Sequence, residues 1–457
     1  MKNKFLYIQT FGCQMNVHDS EQIAALLKNR GYQITDNAKL ADLILLNTCS
    51  IREKAAQKAY SELGRLGKLK EQNPSLIIGV GGCLAQHLGH KLHKRMRQLD
   101  LVFGTHNIHK LPDMVTDIER RRIKLTEIAF HKTVSSIGVF AEPTVGSISA
   151  FVTIMQGCNN FCAYCVVPYL RGPETSRLAE DITEEIRRLA ERGIKEVTLL
   201  GQNVNSYGRT LAGNWNFTRL LKKIAEIPGI LRIRFTTSHP RDLSDELIMC
   251  FAEEDKLCKH IHLPVQSGSD KILALMNRGY QVNEYMKKID ALRDVCPSIS
   301  ITSDIIVGFP GETANDYQET IDMMEKIRFD STFSFKYSER KGTAAYKLTE
   351  KVDEYEKSVR LKLLQELQNR HTQEIHNSLE GSVQQVLVEG RSRNSANDLT
   401  GRASSWKIVN FAGEPDLIGT IADVKITKAY LHSLRGKLMN SQEVGDAYRN
   451  ESSRFNN

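Results

Sequence analysis

Short apolar segments that alternate with helical segments constrain the fold of this 457-residue chain more than any other feature. In the first part of the chain, apolar segments with the length of buried strands are separated by stretches of helical periodicity. This alternation predicts a parallel sheet with helices on both faces, a Rossmann-like α/β domain that we assign to residues 3–120. We expect its first helix to be capped by Asp19 or Ser20 and to end at Gly31. The predicted strands are residues 5–8, 43–46, 76–80 and 101–103.

A second alternating series begins at Ala150 and predicts six further strands. Six βα units suit a partial TIM-type barrel, (βα)6, whose functional site lies at the carboxyl ends of the strands. We assign this barrel to residues 144–376, and a long helix is predicted from about Asp353. Residues 120–149, which precede the barrel, are charged and predict only a segment that connects the first two domains. The predicted strands are residues 151–155, 196–200, 232–237, 260–263, 301–307 and 332–337.

The residue pattern changes after Gly381, where short β-like segments replace helical periodicity. These pieces predict a small β-barrel, which we assign to residues 377–440. The remaining residues, 441–457, are polar and are expected to be disordered.

Three cysteines of the first domain, Cys13, Cys49 and Cys83, each follow a predicted strand. The carboxyl ends of parallel strands meet at one edge of the sheet, which is where ligand sites form. A shared ligand site is therefore the favoured interpretation. The alternative is three unrelated small residues, because free cysteine is often simply buried.

The stretch GCNNFCAYC places Cys158, Cys162 and Cys165 in the loop after the first barrel strand. Three thiols this close can bind one metal centre and leave one coordination position open. A four-iron cubane held by three cysteines has such an open iron, whereas zinc with a distant fourth ligand is the alternative. The other three cysteines have no partner spacing and are expected to pack in the core: Cys250, Cys258 and Cys296.

Composition excludes some classes of protein. No stretch reaches the ~18 apolar residues of a membrane span, and the first residues lack the pattern of a signal peptide. We therefore expect a cytoplasmic protein without a membrane partner, in which thiols stay reduced. The net charge of +8 is compatible with a polyanionic partner and does not require one.

Several motifs together resemble the radical S-adenosylmethionine (SAM) methylthiotransferase family, in its branch that acts on tRNA. The resemblance extends over about residues 4–440 and implies an N-terminal methylthiotransferase domain, a radical SAM barrel and a C-terminal TRAM domain that binds RNA. The motifs are FGCQMNVHDSE, NTCSIREKA, GVGGC, GCNNFCAYCVVPYLRG, LLGQNVNSYG, FTTSHP, HLPVQSGSD and DIIVGFPGET.

The resemblance implies three cofactors: SAM and two [4Fe-4S] clusters. Cys158, Cys162 and Cys165 would hold the SAM-binding cluster. Cys13, Cys49 and Cys83 would hold an auxiliary one. Tyr164, before the last cysteine of the loop, would pack near the adenine of SAM. From their loop position, Gln202 and Asn203 are candidate hydrogen-bond partners of SAM, and Arg171 and Arg177 are candidate partners of its carboxylate or of RNA phosphate.

The reaction implied by the resemblance is methylthiolation at C2 of N6-isopentenyladenosine at tRNA position 37, next to the anticodon. SAM would serve both as methyl donor and as source of a 5′-deoxyadenosyl radical. The implied partners are the tRNA anticodon stem-loop, a reducing protein such as flavodoxin or ferredoxin, and a sulfur or cluster delivery system, and a monomer is expected. The alternatives are action on threonylcarbamoyl-adenosine or on a ribosomal protein aspartate, or a non-catalytic, zinc-stabilised RNA-binding protein.

Overall fold

The computed structural model describes residues 4–49, 53–130, 143–144, 146–393, 395, 397–440 and 443. The tail that is predicted to be disordered, residues 441–457, lies outside the described residues except for Glu443. Among the helices of the described ranges, none is long and apolar enough to cross a membrane.

The first domain is a sheet of six parallel strands in the order β2-β1-β3-β4-β5-β6. Successive residues of its central strand face opposite layers, so that Leu45 packs with one core and Leu46 with the other. Burial on both faces is what a parallel sheet covered by helices requires. The elements are β1 (Lys4–Phe11), α1 (Gln14–Lys28), β2 (Tyr32–Ile34), β3 (Leu43–Thr48), α2 (Glu53–Gln72), β4 (Ile77–Gly82), α3 (Cys83–Leu88), α4 (Lys91–Arg95), β5 (Leu101–Phe103), α5 (Leu111–Arg121) and β6 (Leu125–Glu127).

Helix α1 begins at Gln14, so the prediction that Asp19 or Ser20 caps it was wrong. Cys13 is at the N-cap, and Asp19 and Ser20 are buried inside the helix. Their side chains have tertiary partners instead, since Ser20 Oγ accepts a hydrogen bond of 3.0 Å from Asn47 Nδ2. Asp and Ser occur both as helix caps and as buried polar residues inside helices. The sequence pattern alone does not distinguish these two settings.

Strands β2 and β6 were not predicted, because both are only three residues long and largely accessible to solvent. They are the two outer strands of the sheet, where β2 pairs with β1 and β6 pairs with β5. Strands β1, β3 and β4 are longer than predicted, so Cys49 and Cys83 follow their strands directly and Cys13 follows β1 by two residues.

Six parallel strands form the open barrel of the second domain, in two sheets ordered β7-β10-β11 and β12-β13-β14. An isolated bridge joins Ile233 of β11 to Leu257, which lies three residues before β12. Among the described residues, β7 and β14 do not pair, so the barrel is open between them. The elements are β7 (Ser149–Thr153), β8 (Met155–Gln156), α6 (Val167–Arg171), β9 (Thr175–Ser176), α7 (Ala179–Glu191), β10 (Glu196–Leu200), α8 (Phe217–Ala225), β11 (Arg232–Phe235), α9 (Asp245–Glu253), β12 (His260–His262), α10 (Asp270–Leu275), α11 (Val282–Val295), β13 (Ser300–Val307), α12 (Ala314–Ile327), β14 (Ser331–Lys336) and α13 (Glu354–Asn377).

The third domain is a closed barrel of five strands in the order β15-β16-β17-β19-β18. Its interior contains apolar residues such as Val388, Val409 and Phe411, all fully buried. Closure removes the free edges that a small sheet would expose. The strands are β15 (Val383–Arg391), β16 (Asp398–Ala403), β17 (Ile408–Ala412), β18 (Ile421–Tyr430) and β19 (Ser433–Leu438). The three domains occur in the predicted order, and the residues at which one domain ends and the next begins stay a prediction.

The turn between β16 and β17 closes the amino-terminal end of the open barrel. Arg234 of β11 donates hydrogen bonds to the carbonyls of Ala403 and Ser404, at 2.8 and 2.9 Å, and pairs with Glu196 of β10 at 2.9 Å. The ring of Trp406, at the same turn, lies 4.6 Å from the Arg234 guanidinium and stacks on His260. The third domain therefore provides the base of the barrel interior.

We expect Arg234→Met to lower the free energy of unfolding by about 3–5 kcal/mol, because it leaves the Glu196 carboxylate buried without its partner. The measurement is urea denaturation followed by circular dichroism. Arg219→Met is the matched control, since Arg219 is an exposed arginine over the ring of Trp215, where loss of a cation–π contact costs only about 0.5–1 kcal/mol. Equal losses in the two variants would contradict the importance of the buried pair.

Candidate functional site

The loop that contains Cys158, Cys162 and Cys165 lies between β8 and α6, at the carboxyl ends of the barrel strands. Gly157 precedes it with φ +81°, and a side chain there would meet the carbonyl oxygen of Pro173 at 2.0 Å, so only glycine fits. The amide of Val167 donates to Cys165 Sγ at 3.4 Å. Backbone donors of this kind orient thiolate ligands and stabilise their charge.

The segment MNRG, residues 276–279 after α10, contacts this cysteine loop. The amide of Ala163 donates to the carbonyl of Met276 at 2.8 Å, and Asn277 Nδ2 donates to the carbonyl of Phe161 at 3.0 Å. Arg278 is buried and its Nη1 lies 3.3 Å from Cys162 Sγ. Sequence reasoning missed Asn277 and Arg278, because nothing in a polar turn indicates that it will contact a loop more than a hundred residues away.

The other three cysteines lie side by side, because β1, β3 and β4 are adjacent strands of one parallel sheet. Two glycines allow the close approach. A side chain at Gly12 would lie 2.8 Å from Cys49 Cβ, and one at Gly82 would lie 2.5 Å from the carbonyl oxygen of Thr48. Gly82 also has φ +85°, in the left-handed region that favours glycine.

Both sets of cysteines line one cavity of about 570 Å³, so the sheet edge of the first domain faces the mouth of the barrel. Within the described parts of the chain, no three His, Cys, Asp or Glu side chains converge as they would around a single metal ion. The fit to an iron–sulfur cluster therefore rests on the donor set. Each set offers three thiols, and cysteine thiolate is the ligand that these clusters prefer.

Burial keeps the thiols of Cys83, Cys158 and Cys165 protonated at neutral pH when no metal is bound. It raises the pKa of Cys158 to about 11 and that of Cys165 to about 12. Burial also raises the pKa of Cys83. Metal binding at these positions must therefore displace protons, as it does for thiolate ligands in general.

A buried arginine accompanies each cysteine set. Arg278 accompanies Cys162, and Arg171 of α6 contacts Cys83 in the first domain. Arg171 Nη2 also pairs with Asp19 Oδ2 at 3.2 Å. Burial alone would lower the pKa of Arg171, but Cys83 and Asp19 outweigh it and raise the pKa above the ordinary arginine value. Arg171 therefore stays charged and connects the barrel to the cysteine edge of the first domain.

The three candidate SAM contacts occupy different places. Tyr164 and Gln202 line the cavity. Gln202 Oε1 accepts a hydrogen bond of 2.6 Å from the amide of Gly157, and Tyr164 Oη lies 3.4 Å from Arg278 Nη1. Asn203 is not a lining residue, since its side chain is buried and donates to Asp242 Oδ2 at 2.6 Å. A direct contact of Asn203 with SAM stays a prediction that this geometry does not favour.

The segment Thr237–His239 lines the same cavity and has unused hydrogen-bonding capacity. Among the described residues, Ser238 Oγ and His239 Nε2 are buried side-chain atoms without a hydrogen-bond partner. Burial, with nearby Arg278, lowers the pKa of His239 to about 2, so the imidazole is neutral. Its Nδ1 accepts from the amide of Arg241, which leaves the proton on Nε2 as a donor. Thr237 has φ +69°, a strained value for a β-branched residue. Unpaired polar atoms and strain together indicate a polar ligand here.

The interface between the first two domains contains a second buried charge network. His18 of α1 lies 3.3 Å from Glu185 of α7, and Arg177 lies 2.7 Å from the same carboxylate. Arg171 and Arg177, two candidate partners for the SAM carboxylate or for phosphate, thus both have carboxylate partners within the chain. Burial alone would raise the pKa of Glu185, but Arg177 and His18 outweigh it and lower the pKa to about 2.

Comparison with known families identifies the class of protein. Residues 5–104 match the uncharacterized protein family UPF0004, residues 152–324 match the radical SAM superfamily, and residues 377–439 match the TRAM domain. A solved structure with the same overall fold is the radical S-adenosylmethionine methyltransferase TsrM from Kitasatospora setae, with cobalamin and a [4Fe-4S] cluster bound. It has a TM-score of 0.55 and 14% identity, and the alignment covers 84% of this chain and 81% of that one. The fold and the cysteine-lined cavity thus define a radical SAM protein with an added N-terminal α/β domain and a TRAM barrel.

Close relatives identify the family of the chain within this class of radical SAM proteins. The chain is 60% identical to the tRNA-2-methylthio-N(6)-dimethylallyladenosine synthase of Syntrophus aciditrophicus, over 97% of this chain and 96% of the relative. It is 51% identical to the protein of the same name from Geobacter sulfurreducens, over 98% and 99% of the two chains. The chain belongs to the tRNA-2-methylthio-N(6)-dimethylallyladenosine synthase family. The predicted resemblance and the predicted fold class are both confirmed.

We expect Glu185→Gln to lower the free energy of unfolding at neutral pH by about 3 kcal/mol, because the native pKa of this carboxyl is depressed. A depressed carboxyl pKa stabilises the native state above the unfolded pKa of about 4.5, and this stabilisation is lost as the pH falls towards 2. The difference between the wild-type protein and the variant should therefore shrink over this window.

Urea denaturation at stepped pH values measures this difference. Glu191→Gln, an exposed residue at the end of the same helix, is the control. A gap between wild type and Glu185→Gln that stays constant from pH 6 to pH 2 would contradict the assignment.

Proposed function

We propose that this protein is a radical SAM enzyme that adds a methylthio group at C2 of N6-isopentenyladenosine at tRNA position 37, giving 2-methylthio-N6-isopentenyladenosine. The observation that carries the proposal is the arrangement of two three-cysteine sets around one cavity, in a chain whose relatives are named for this product. A radical enzyme in general needs only the cysteine loop of the barrel. A second thiol set opposite the loop fits a reaction that also inserts sulfur.

The proposed ligands follow from the two sets. Cys158, Cys162 and Cys165 would hold the [4Fe-4S] cluster that binds SAM. The auxiliary [4Fe-4S] cluster would be held by Cys13, Cys49 and Cys83. Three cysteines leave one iron of a cubane open for another ligand. When bound, these groups with SAM supply the methyl group, the sulfur site and the 5′-deoxyadenosyl radical.

The residues of the chain would bind, orient and shield these groups. Tyr164 and Gln202 line the cavity beside the barrel loop and are the proposed SAM contacts. Arg278 and Arg171 place a buried positive charge beside each thiol set, where it favours the thiolate form. The neutral Nε2–H of His239 is a donor for an acceptor atom of SAM or of the target base.

The proposed partners follow from the reaction. The substrate is the anticodon stem-loop of tRNA, whose bases can splay out and stack on protein side chains, and the TRAM barrel would help to bind this RNA. A reducing protein such as flavodoxin or ferredoxin would supply electrons, and a delivery system would supply sulfur or clusters. We propose that the enzyme acts as a monomer in the cytoplasm.

Iron analysis tests the ligand assignment. The reconstituted wild-type protein should contain about eight irons per chain, and Cys162→Ala and Cys49→Ala should each contain about four. Cys250→Ala is the control, since Cys250 is buried in the barrel core away from the cavity, and it should keep the full content. Bound zinc without iron, or a full iron content in Cys162→Ala, would refute the assignment.

Nucleoside analysis tests the reaction. Cells that lack this chain should contain tRNA with N6-isopentenyladenosine and no 2-methylthio derivative, and wild-type chain should restore the derivative. Cys162→Ala should not restore it, because the SAM-binding cluster would be lost. Cys296→Ala should restore it, since Cys296 lies in the barrel core. Unchanged 2-methylthio-N6-isopentenyladenosine with and without the chain would rule out the proposed function.

A further inference from the structure

Strand β14 exposes two phenylalanines inside the barrel. Its side chains alternate, so that Phe333 and Phe335 face the cavity while Thr332 and Ser334 face the other side. Phe333 is 58% exposed and Phe335 is 46% exposed. Fully burying a side chain of this size is worth about 1.5–3 kcal/mol relative to leaving it in water, so this surface gains from an apolar cover.

Other aromatic residues of the same barrel are placed differently. Phe251 and Phe329 are almost fully buried in its core. The two cavity phenylalanines, in contrast, have no apolar cover among the described residues even though they lie inside the fold. Since β14 is an outer strand, these side chains lie beside the opening of the barrel.

A hydrogen-bond acceptor adjoins this apolar wall. Asp304 of β13 is in register with Phe333, and its side chain is 30% exposed. Asp304 Oδ1 lies 3.5 Å from His262 Nε2, and the His262 ring packs edge-on against Phe333 at 6.1 Å. The carboxylate and both rings line the cavity that contains the cysteines.

The chemistry of the substrate matches this arrangement. An adenine that bears one isopentenyl group on N6 has a branched apolar tail and a single remaining N6–H donor. Unmodified adenine has the donor but no tail. An apolar wall beside a carboxylate can therefore distinguish the two bases, whereas SAM, with its charged amino-acid part, has no comparable apolar branch.

Resting on the proposed function, we propose that Phe333 and Phe335 form the subsite for the N6-isopentenyl group of the target adenosine, with the Asp304 carboxylate accepting the N6–H.

The test measures the affinity of the reconstituted enzyme for two anticodon stem-loop RNAs that differ only in the isopentenyl group. Wild type should bind the isopentenylated RNA about tenfold or more tightly than the unmodified RNA, and Phe333→Ala/Phe335→Ala should reduce this preference to about twofold or less. Phe335→Leu, which keeps apolar area, should retain most of it. Tyr355→Ala removes an exposed aromatic residue outside the cavity and should behave as wild type.

Two further measurements separate the possible outcomes. SAM cleavage to 5′-deoxyadenosine without RNA should be the same in the double alanine variant as in wild type. The subsite is refuted if that variant keeps the full preference, if it weakens binding of both RNAs equally, or if it loses SAM cleavage in the absence of RNA. If wild type itself forms no methylthio product on the isopentenylated RNA, the proposed function fails instead, which is a different result from an unchanged preference in an active enzyme.

Discussion

The pairing of Arg171 with Asp19 and Cys83 is the interaction on which the site depends. Arg171 belongs to the barrel, whereas its partners belong to the first domain, and all three lie in buried or nearly buried positions. A buried guanidinium without its partners would be costly, so the two domains have a strong preference for the docked arrangement in which this pair forms. That arrangement turns the cysteine edge of the first sheet towards the mouth of the barrel.

Buried polar networks also lie at two further contacts between the domains. His18, Glu185 and Arg177 hold the first domain on α7, and Arg234 with Glu196 holds the third domain at the other end of the barrel. Each network includes groups from more than one domain, so it is complete only when the domains dock. Three domains thereby enclose one cavity, with thiols at the mouth and Trp406 at the base.

The sequence predicts most of the strands, the order of the domains and the grouping of cysteines at the carboxyl ends of parallel strands, because each is a local pattern or follows from parallel topology. The roles of these cysteines as cluster ligands stay a prediction. Prediction from the sequence fails where the same residue type occurs in two structural settings. Asp19 is of a residue type that is typical of helix caps, but it is buried and pairs with Arg171. Asn203 lies in a polar loop at the barrel mouth but is turned towards Asp242. Loop position alone does not determine the direction of a side chain, which depends on partners distant in sequence.

Several residues that line the site cannot be identified from the sequence pattern. Arg278 lies in an ordinary polar turn, and its contact with Cys162 exists only because α10 packs beneath the cysteine loop. Phe333 and Phe335 resemble core residues of a strand, and only an outer strand at an open edge leaves them exposed.

The sequence by itself determined which groups are available for chemistry: six cysteines at the ends of parallel strands, with glycines that let the backbone approach them. Periodicity and turn residues act over a few positions, so a sequence can specify them directly. Only the tertiary structure decided that both cysteine sets face one cavity, that a buried arginine accompanies each, and that two phenylalanines remain open to a ligand. Those features arise from docking of domains through buried charges, whose energy depends on partners that only the folded chain brings together.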